Sequence, residues 1–258
     1  MKHILFLAIL AVFGAAAMAQ SWSDDFYDAL NADDLGRQRA ILAQWQRATP
    51  DDIDLHIARF NHLINRCQQA SGSEAALLAD SAVAVIDTAI SHFPDRLDLR
   101  FGKIYFLGQI MQWKPFADEI LITLDRSDQT SHNWQFPNFD QGGRILIIEG
   151  VQDYLYTLFD ATQNAPAEDL STLVAQIRRI SHRAAQLFPA EPSFLSALAY
   201  THIHDGDLQT ALRHLQRAEQ LSPNDPAVLQ QLVDVYSRLK NKKMAAHYRT
   251  RLQALQSQ

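Results

Sequence analysis

The sequence predicts an all-α fold, an α-solenoid of about six antiparallel helix pairs. Apolar residues recur at helical spacing through most of the 258 residues, and no segment keeps the alternation of a strand. In residues 192–223 the turn Asp205-Gly206-Asp207 interrupts this spacing and leaves a short helix on each side. Residues 32–52 align without a gap on residues 205–225, so the second helix of this unit occurs twice in the chain.

The helix pair of 192–223 resembles the tetratricopeptide repeat (TPR), a unit of about 34 residues. Five residues carry the resemblance, in the family's order and spacing: Gly206, Ala211, Leu215, Ala218 and Pro223. The best-matching repeats are 192–225 and 226–258, and the resemblance is to TPR proteins of the exported bacterial type. It implies a TPR-like superhelix whose concave surface binds a protein or peptide partner.

By the same resemblance, the first helix of each pair lines the partner-binding surface. The expected partner-binding residues are Ser196, Ala199, Tyr200 and Ile203 in one pair and Gln231, Asp234 and Tyr236 in the last pair.

Residues 1–19 have the pattern of a secretory signal peptide. Lys2 precedes an apolar run over 4–13, and the small residues Ala17-Met18-Ala19 follow it. The run is too short for a bilayer, which takes about 20 helical residues to span. We therefore expect cleavage before Gln20, a single helical-repeat domain over 20–258, no membrane insertion after cleavage, and a periplasmic or extracellular destination.

The only cysteine, Cys67, lies far from the cleavage point, so lipid attachment there is excluded. A single cysteine also excludes a disulfide within the chain, and packing alone must stabilise the fold. Beside Arg66 on a predicted helix, Cys67 is interpreted as a small buried hydrophobe and not as a nucleophile.

The first half of the chain divides at prolines and polar turns. Helices are predicted over 24–30 with Ser23 as N-cap, within 32–52, over 51–70, from Ser73 to Pro94, over 97–111 and over 116–124. In the second of these, Gln38 and Trp45 replace the small residues of the repeat, which predicts packing that is looser or locally rearranged.

The second half begins with a loop and continues in pairs. Residues 127–143 abandon helical periodicity, and helices are then predicted over 145–164, from Leu170 to Pro189, and in the two best-matching repeats. The last repeat lacks the closing proline and carries lysines and arginines on its outer side, as expected of a terminal repeat.

The 127–143 loop gathers aromatic and polar side chains, and a loop of this length inside a compact domain is often functional. Its candidate partner-binding residues are Asn133, Trp134, Phe136, Asn138, Phe139 and Asp140. The three aromatic rings either cap the neighbouring core or form a binding platform. The second alternative corresponds to a protein that binds a small ligand or a glycan.

The motifs of common catalytic and metal sites are missing. There is no nucleophile elbow, phosphate-binding loop, dinucleotide turn or His-Glu-x-x-His stretch, so we expect no enzyme, no catalytic residue, no cofactor and no metal. The dense segment His202-Ile203-His204-Asp205 is interpreted as a solvated helix end, since residues two apart on a helix do not face each other.

Charge is distributed unevenly along a chain whose net charge is −6. Residues 20–170 hold 23 acidic and 11 basic side chains, whereas residues 171–258 hold 6 and 11. The overall acidity argues against a nucleic-acid partner. The two segments are solvated faces, or surfaces that meet different partners, or ends through which molecules pack head to tail.

Overall fold

The computed structural model describes residues 19–130, 134–137 and 143–256. The predicted signal sequence over 1–18 therefore lies outside the described residues. Within them the chain forms twelve α-helices and no strand, which confirms the all-α prediction: α1 (Ala19–Asn31), α2 (Leu35–Ala48), α3 (Ile53–Gln69), α4 (Gly72–His92), α5 (Leu97–Gln109), α6 (Trp113–Thr130), α7 (Gly143–Asn164), α8 (Ala167–Leu187), α9 (Pro192–His204), α10 (Leu208–Leu221), α11 (Pro226–Arg238) and α12 (Lys242–Gln256).

The helices divide between two compact units. The first unit contains 1–110 and 132–143, so it holds α1 to α5, and the second contains 111–131 and 144–258, so it holds α6 and α8 to α12 with nearly all of α7. The single repeat domain expected over 20–258 stays a prediction.

The last four helices repeat with the period of a TPR. Helix α11 begins 34 residues after α9, and α12 begins 34 residues after α10. Both α9 and α11 carry proline at the first helical position. A backbone N–H at this position would have no hydrogen-bond partner within the helix, so its absence from proline costs nothing there. Ala211, Leu215 and Ala218 are fully buried, as the repeat pattern predicts.

A positive backbone φ recurs in the turn before four of the helices. The second residue before α2, α6, α10 or α12 has a positive φ: Asp33, Met111, Gly206 and Lys240 at 54°, 55°, 79° and 58°. In three of these turns the next residue, Asp34, Asp207 or Asn241, caps the helix by accepting a hydrogen bond from a backbone N–H three positions on. The same turn geometry therefore recurs before four of the twelve described helices, as in a repeat protein.

The core of the first unit consists of two clusters. One joins α1, α2 and α3 around Phe26 and Trp45, and the other joins α3, α4 and α5 around Phe60 and Ile86. Trp45 is fully buried, and its indole N–H donates to Asp52 Oδ2 at 2.9 Å. Packing at this departure from the repeat is therefore rearranged around a large ring.

Helix α4 has 21 residues and a window with a mean hydropathy of 1.3. It is the one described helix that is long and apolar enough to cross a membrane, by length and composition alone. A core helix meets the same criterion, and the inner face of α4 (Ala82, Ile86 and Ala89) is fully buried in the cluster with α3 and α5.

Cys67 on α3 is half-buried against the α3–α5 cluster. Its thiol lies 3.4 Å from the carbonyl oxygen of Ala75, and burial raises the pKa of the thiol. A raised pKa disfavours the nucleophilic thiolate.

Three predicted boundaries are wrong. Helix α1 begins at Ala19, so Ser23 is a buried helical residue and not an N-cap. The residue before α4 is Ser71, whereas Ser73 lies inside the helix. Helix α6 extends to Thr130, so residues 127–130 are helical and do not belong to the loop. Arg183 on α8 stabilises this extension, since its guanidinium contacts Asp125 at 2.6 Å and Asp128 at 3.1 Å.

Candidate functional site

The described part of the aromatic loop is residues 134–137, which lie against α5. Gln135 exchanges backbone hydrogen bonds with both sides of Arg96: its N–H donates to Asp95 O at 2.8 Å, and its carbonyl accepts from Leu97 N at 2.9 Å. The candidates Asn133, Asn138, Phe139 and Asp140 lie outside the described residues.

Both described rings of this loop are half-buried. The Arg100 guanidinium lies 5.9 Å from the centre of the Trp134 ring, and Phe136 lies 6.2 Å from the ring of Phe101. A Cβ on Gly143 would come within 3.0 Å of the Trp134 Cβ, so this glycine permits a close approach of the backbone. These contacts favour the core-capping alternative for Trp134 and Phe136.

The four candidates on α9 are mostly interior. Ala199 is fully buried, Ser196 and Ile203 are nearly so, and only Tyr200 is half-buried. The reason is that α9 is surrounded: it packs on α8, α10 and α11, and Tyr200 meets Phe159 of α7 at 4.9 Å between ring centres. Ser196, Ala199 and Ile203 thus pack inside this unit. Partner binding by these three residues stays a prediction.

On α11 the three candidates differ. Tyr236 is nearly buried and stacks on Tyr248 with ring centres 5.5 Å apart, and partner binding by Tyr236 stays a prediction. Asp234 is half-exposed and pairs with Arg238 at 3.1 Å. The Gln231 Oε1 is buried and accepts no hydrogen bond within the described residues. Partner binding by Tyr200, Gln231 and Asp234 stays a prediction.

The His-Asp turn between α9 and α10 has structural partners. Asp205 accepts from Arg178 at 2.5 Å, and Asp207 caps α10 through Thr210 N. The ring of His202 stacks on His214 at 5.4 Å. Among the described residues, no group of histidines, cysteines and carboxylates is arranged to hold a metal ion.

A groove that the sequence did not predict lies between α2 and α4, with α3 as its floor. It consists of two successive depressions, each with a volume of about 330 Å³. We call them together the α2–α4 groove. Their lining residues are Leu42, Ala43, Gln46, Arg59, His62, Leu63 and Val85 in the first and Leu35, Arg39, Arg66, Gln69, Ala70 and Glu74 in the second.

Two successive buried hydrogen bonds stabilise the floor of the α2–α4 groove. The Gln38 amide donates from Nε2 to Ala29 O at 3.3 Å, which directs its Oε1 toward His62 Nδ1 at 2.7 Å. His62 Nδ1 must therefore donate, and Nε2 is left to titrate. Burial, with Arg66 and Arg39 nearby, lowers the pKa of His62 to about 4. The imidazole is neutral at pH 7.

A signal for this groove was present in the sequence. Arg59 and Arg66 are seven residues apart, so they share one face of a helix, and Arg39 follows the turn that places α2 beside α3. Sequence alone does not show that α2 and α4 leave α3 uncovered between them.

No protein-family model matches the chain, and no curated protein matches it. Solved structures match at low identity. MamA (41-end) from Desulfovibrio magneticus RS-1 is 14% identical with a TM-score of 0.43, over 77% of this chain and 96% of that one. PilW, described as a widely conserved type IV pilus biogenesis factor, is 13% identical with a TM-score of 0.45, over 93% and 94%.

YrrB, described as a TPR protein with an unusual peptide-binding site, is 12% identical with a TM-score of 0.39, over 83% of this chain and 94% of that one. Likeness at these identities concerns the fold alone. The TPR-like character of this chain rests on its own 34-residue spacing and its repeated turn.

Proposed function

We propose that this protein is a non-catalytic scaffold of the cell envelope that binds a protein or peptide partner. The observation that carries the proposal is the α2–α4 groove, an open trough with apolar side chains (Leu42, Leu63 and Val85) on its walls and floor. A trough of this form admits the side chains of a peptide segment, as apolar grooves between helices do in other recognition modes.

The N-terminal sequence supports the envelope location. Lys2, the apolar run over 4–13 and Ala17-Met18-Ala19 are typical of a segment that directs export and is then removed. The non-catalytic character is supported by the absence of a known catalytic motif in the sequence.

The test is photocrosslinking inside the native host. A photoreactive phenylalanine analogue replaces Val85 in the groove, and a matched control replaces Asp80, which is exposed on α4 outside the groove. We expect one specific protein adduct at position 85, none at position 80, and loss of the adduct when unmodified protein competes. The absence of a specific adduct, together with a small ligand retained by the purified protein, would overturn the proposal.

A further inference from the structure

We propose that the partner enters the α2–α4 groove through an acidic peptide segment that also carries apolar side chains. This inference rests on the proposed function and specifies the chemistry of the partner.

The groove is basic, whereas the unit around it is acidic. Residues 19–110 hold 13 acidic and 8 basic side chains, yet three of the basic ones, Arg39, Arg59 and Arg66, line this one groove. The three arginines outnumber the one carboxylate of the groove, Glu74, so the groove is cationic overall and attracts ligands of the opposite sign. The partner that fits this concentration of cations carries carboxylates.

The three groove arginines have no carboxylate partner among the described residues. Arg39 donates to Leu35 O at 3.3 Å and Arg59 to Gln46 Oε1 at 2.8 Å, which are neutral acceptors. Glu74 lines the end of the groove near Arg66 without forming an ion pair with it. The guanidinium groups therefore keep donors for a ligand, and a guanidinium binds a carboxylate through two parallel hydrogen bonds.

Three other cations of the same unit form ion pairs within the unit. Arg37 lies 3.6 Å from Asp25, Arg96 lies 2.7 Å from Asp98, and Lys103 lies 2.6 Å from Asp87. Arg47, outside the groove, also forms no ion pair with a described residue, so the groove is distinguished by holding three such arginines together.

The spacing of the arginines sets the form of the ligand. Arg59 and Arg66 are two helical turns apart on α3, a rise of about 10 Å. Leu63 lies between them, with Leu42 and Val85 on the opposite walls. The matching segment has an apolar side chain between two carboxylates about 10 Å apart, as at positions i and i+7 of a helix.

The experiment is a selection of random twelve-residue peptides, displayed on phage, against the purified chain. We expect the selected peptides to contain more Asp and Glu than Lys and Arg, together with apolar residues. In the variant R59E/R66E their affinity should fall by about tenfold or more. The matched control is R47E, which changes an exposed arginine of α2 outside the groove and should leave the affinity unchanged.

Circular dichroism establishes that each variant keeps its helices. The inference is overturned if the selected peptides are neutral or basic, if none are enriched, if R47E weakens binding as much as R59E/R66E, or if millimolar inorganic phosphate or a single-stranded oligonucleotide displaces the peptides completely. A specific adduct at position 85 with neutral selected peptides would refute the acidic ligand and leave the proposed function intact.

Discussion

At the scale of single residues, His62 links the core of the first unit to the α2–α4 groove. Its Nδ1 is bound to Gln38 inside the unit, and Arg39 and Arg66 lie close enough to oppose its protonation. The same two arginines belong to the set that we propose binds carboxylates. A bound carboxylate would offset their field, so ligand binding should raise the pKa of His62.

The stability of the first unit should depend on pH through His62. The folded state holds the pKa near 4, below the ordinary value of 6.5 that applies to the unfolded chain. Stability is therefore complete above about pH 6.5, falls as the pH drops from about 6.5 to about 4, by up to about 3 kcal/mol, and levels off below the folded-state pKa. Urea denaturation between pH 7.5 and pH 4 measures this slope.

The control for this slope is H62Q, which keeps a polar side chain without the titration and should flatten the pH dependence. The exposed His204 of the second unit provides a matched change, H204Q. An H62Q variant with the same slope as the parent chain would show that another group is responsible.

At the scale of the elements, the turn before α10 favours glycine because Gly206 has a φ of 79°, larger than the 54° to 58° of Asp33, Met111 and Lys240 in the matching turns. G206A should lower stability by about 1 kcal/mol, since a Cβ is strained in this region of backbone space. The matched change G36A lies inside α2, where a Cβ would meet only Asp34 Oδ1 at 3.4 Å. It should stabilise the chain by up to about 1 kcal/mol. Thermal denaturation compares the two, and equal effects would contradict this account.

Helices α6 and α8 are joined by ion pairs in the second unit. Arg183 contacts Asp125 and Asp128, which raise the pKa of Arg183, and Arg179 contacts Asp118 at 2.6 Å. Because the carboxylates are more than half exposed at the Arg183 pairs, R183M should cost only about 1 kcal/mol. Urea denaturation in low salt and in about 1 M salt should show that this cost shrinks as salt rises. A cost independent of salt would assign it to packing.

Helix boundaries could be predicted where the sequence encodes a local signal. Pro192, Pro226 and Gly206 fix the starts and the turn of the last two pairs, and these segments match the expectation. The extension of α6 was missed because its stabilising contact, Arg183, is more than fifty residues away. Long-range contacts of this kind leave no local pattern.

The candidate site could be predicted less well than the fold. The first-helix assignment included Ala199 and Tyr236, which are buried. A position along a helix does not show which neighbouring helices cover the residue. On α9 the helices α8, α10 and α11 leave little surface free. The α2–α4 groove could not be predicted from the sequence, because it depends on a gap between two helices that are not adjacent in sequence.

At the scale of the whole molecule, the uneven charge is partly neutralised inside the second unit. Arg178, Arg238 and Arg251 pair with Asp205, Asp234 and Glu219. The remaining cations of the last two pairs form no ion pair among the described residues: Arg213, Arg217, Lys240, Lys242, Lys243 and Arg249. The basic character of the C-terminal segment is therefore available to solvent or to a partner, as is that of the groove in the acidic segment.

The proposed function requires that the whole chain leaves the cytoplasm, and this is open to a direct test. When the full sequence is expressed in a bacterium, we expect the protein in the envelope or external fraction with Gln20 as its first residue, because Ala17-Met18-Ala19 is a favourable cleavage site. Intact-mass measurement of the purified protein identifies the terminus. A17R should block cleavage and retain residues 1–19, whereas the control S21R, beyond the cleavage site, should not. A cytoplasmic chain that keeps residues 1–19 would remove the envelope from the proposal while leaving the chemistry of the groove to be judged by its own ligands.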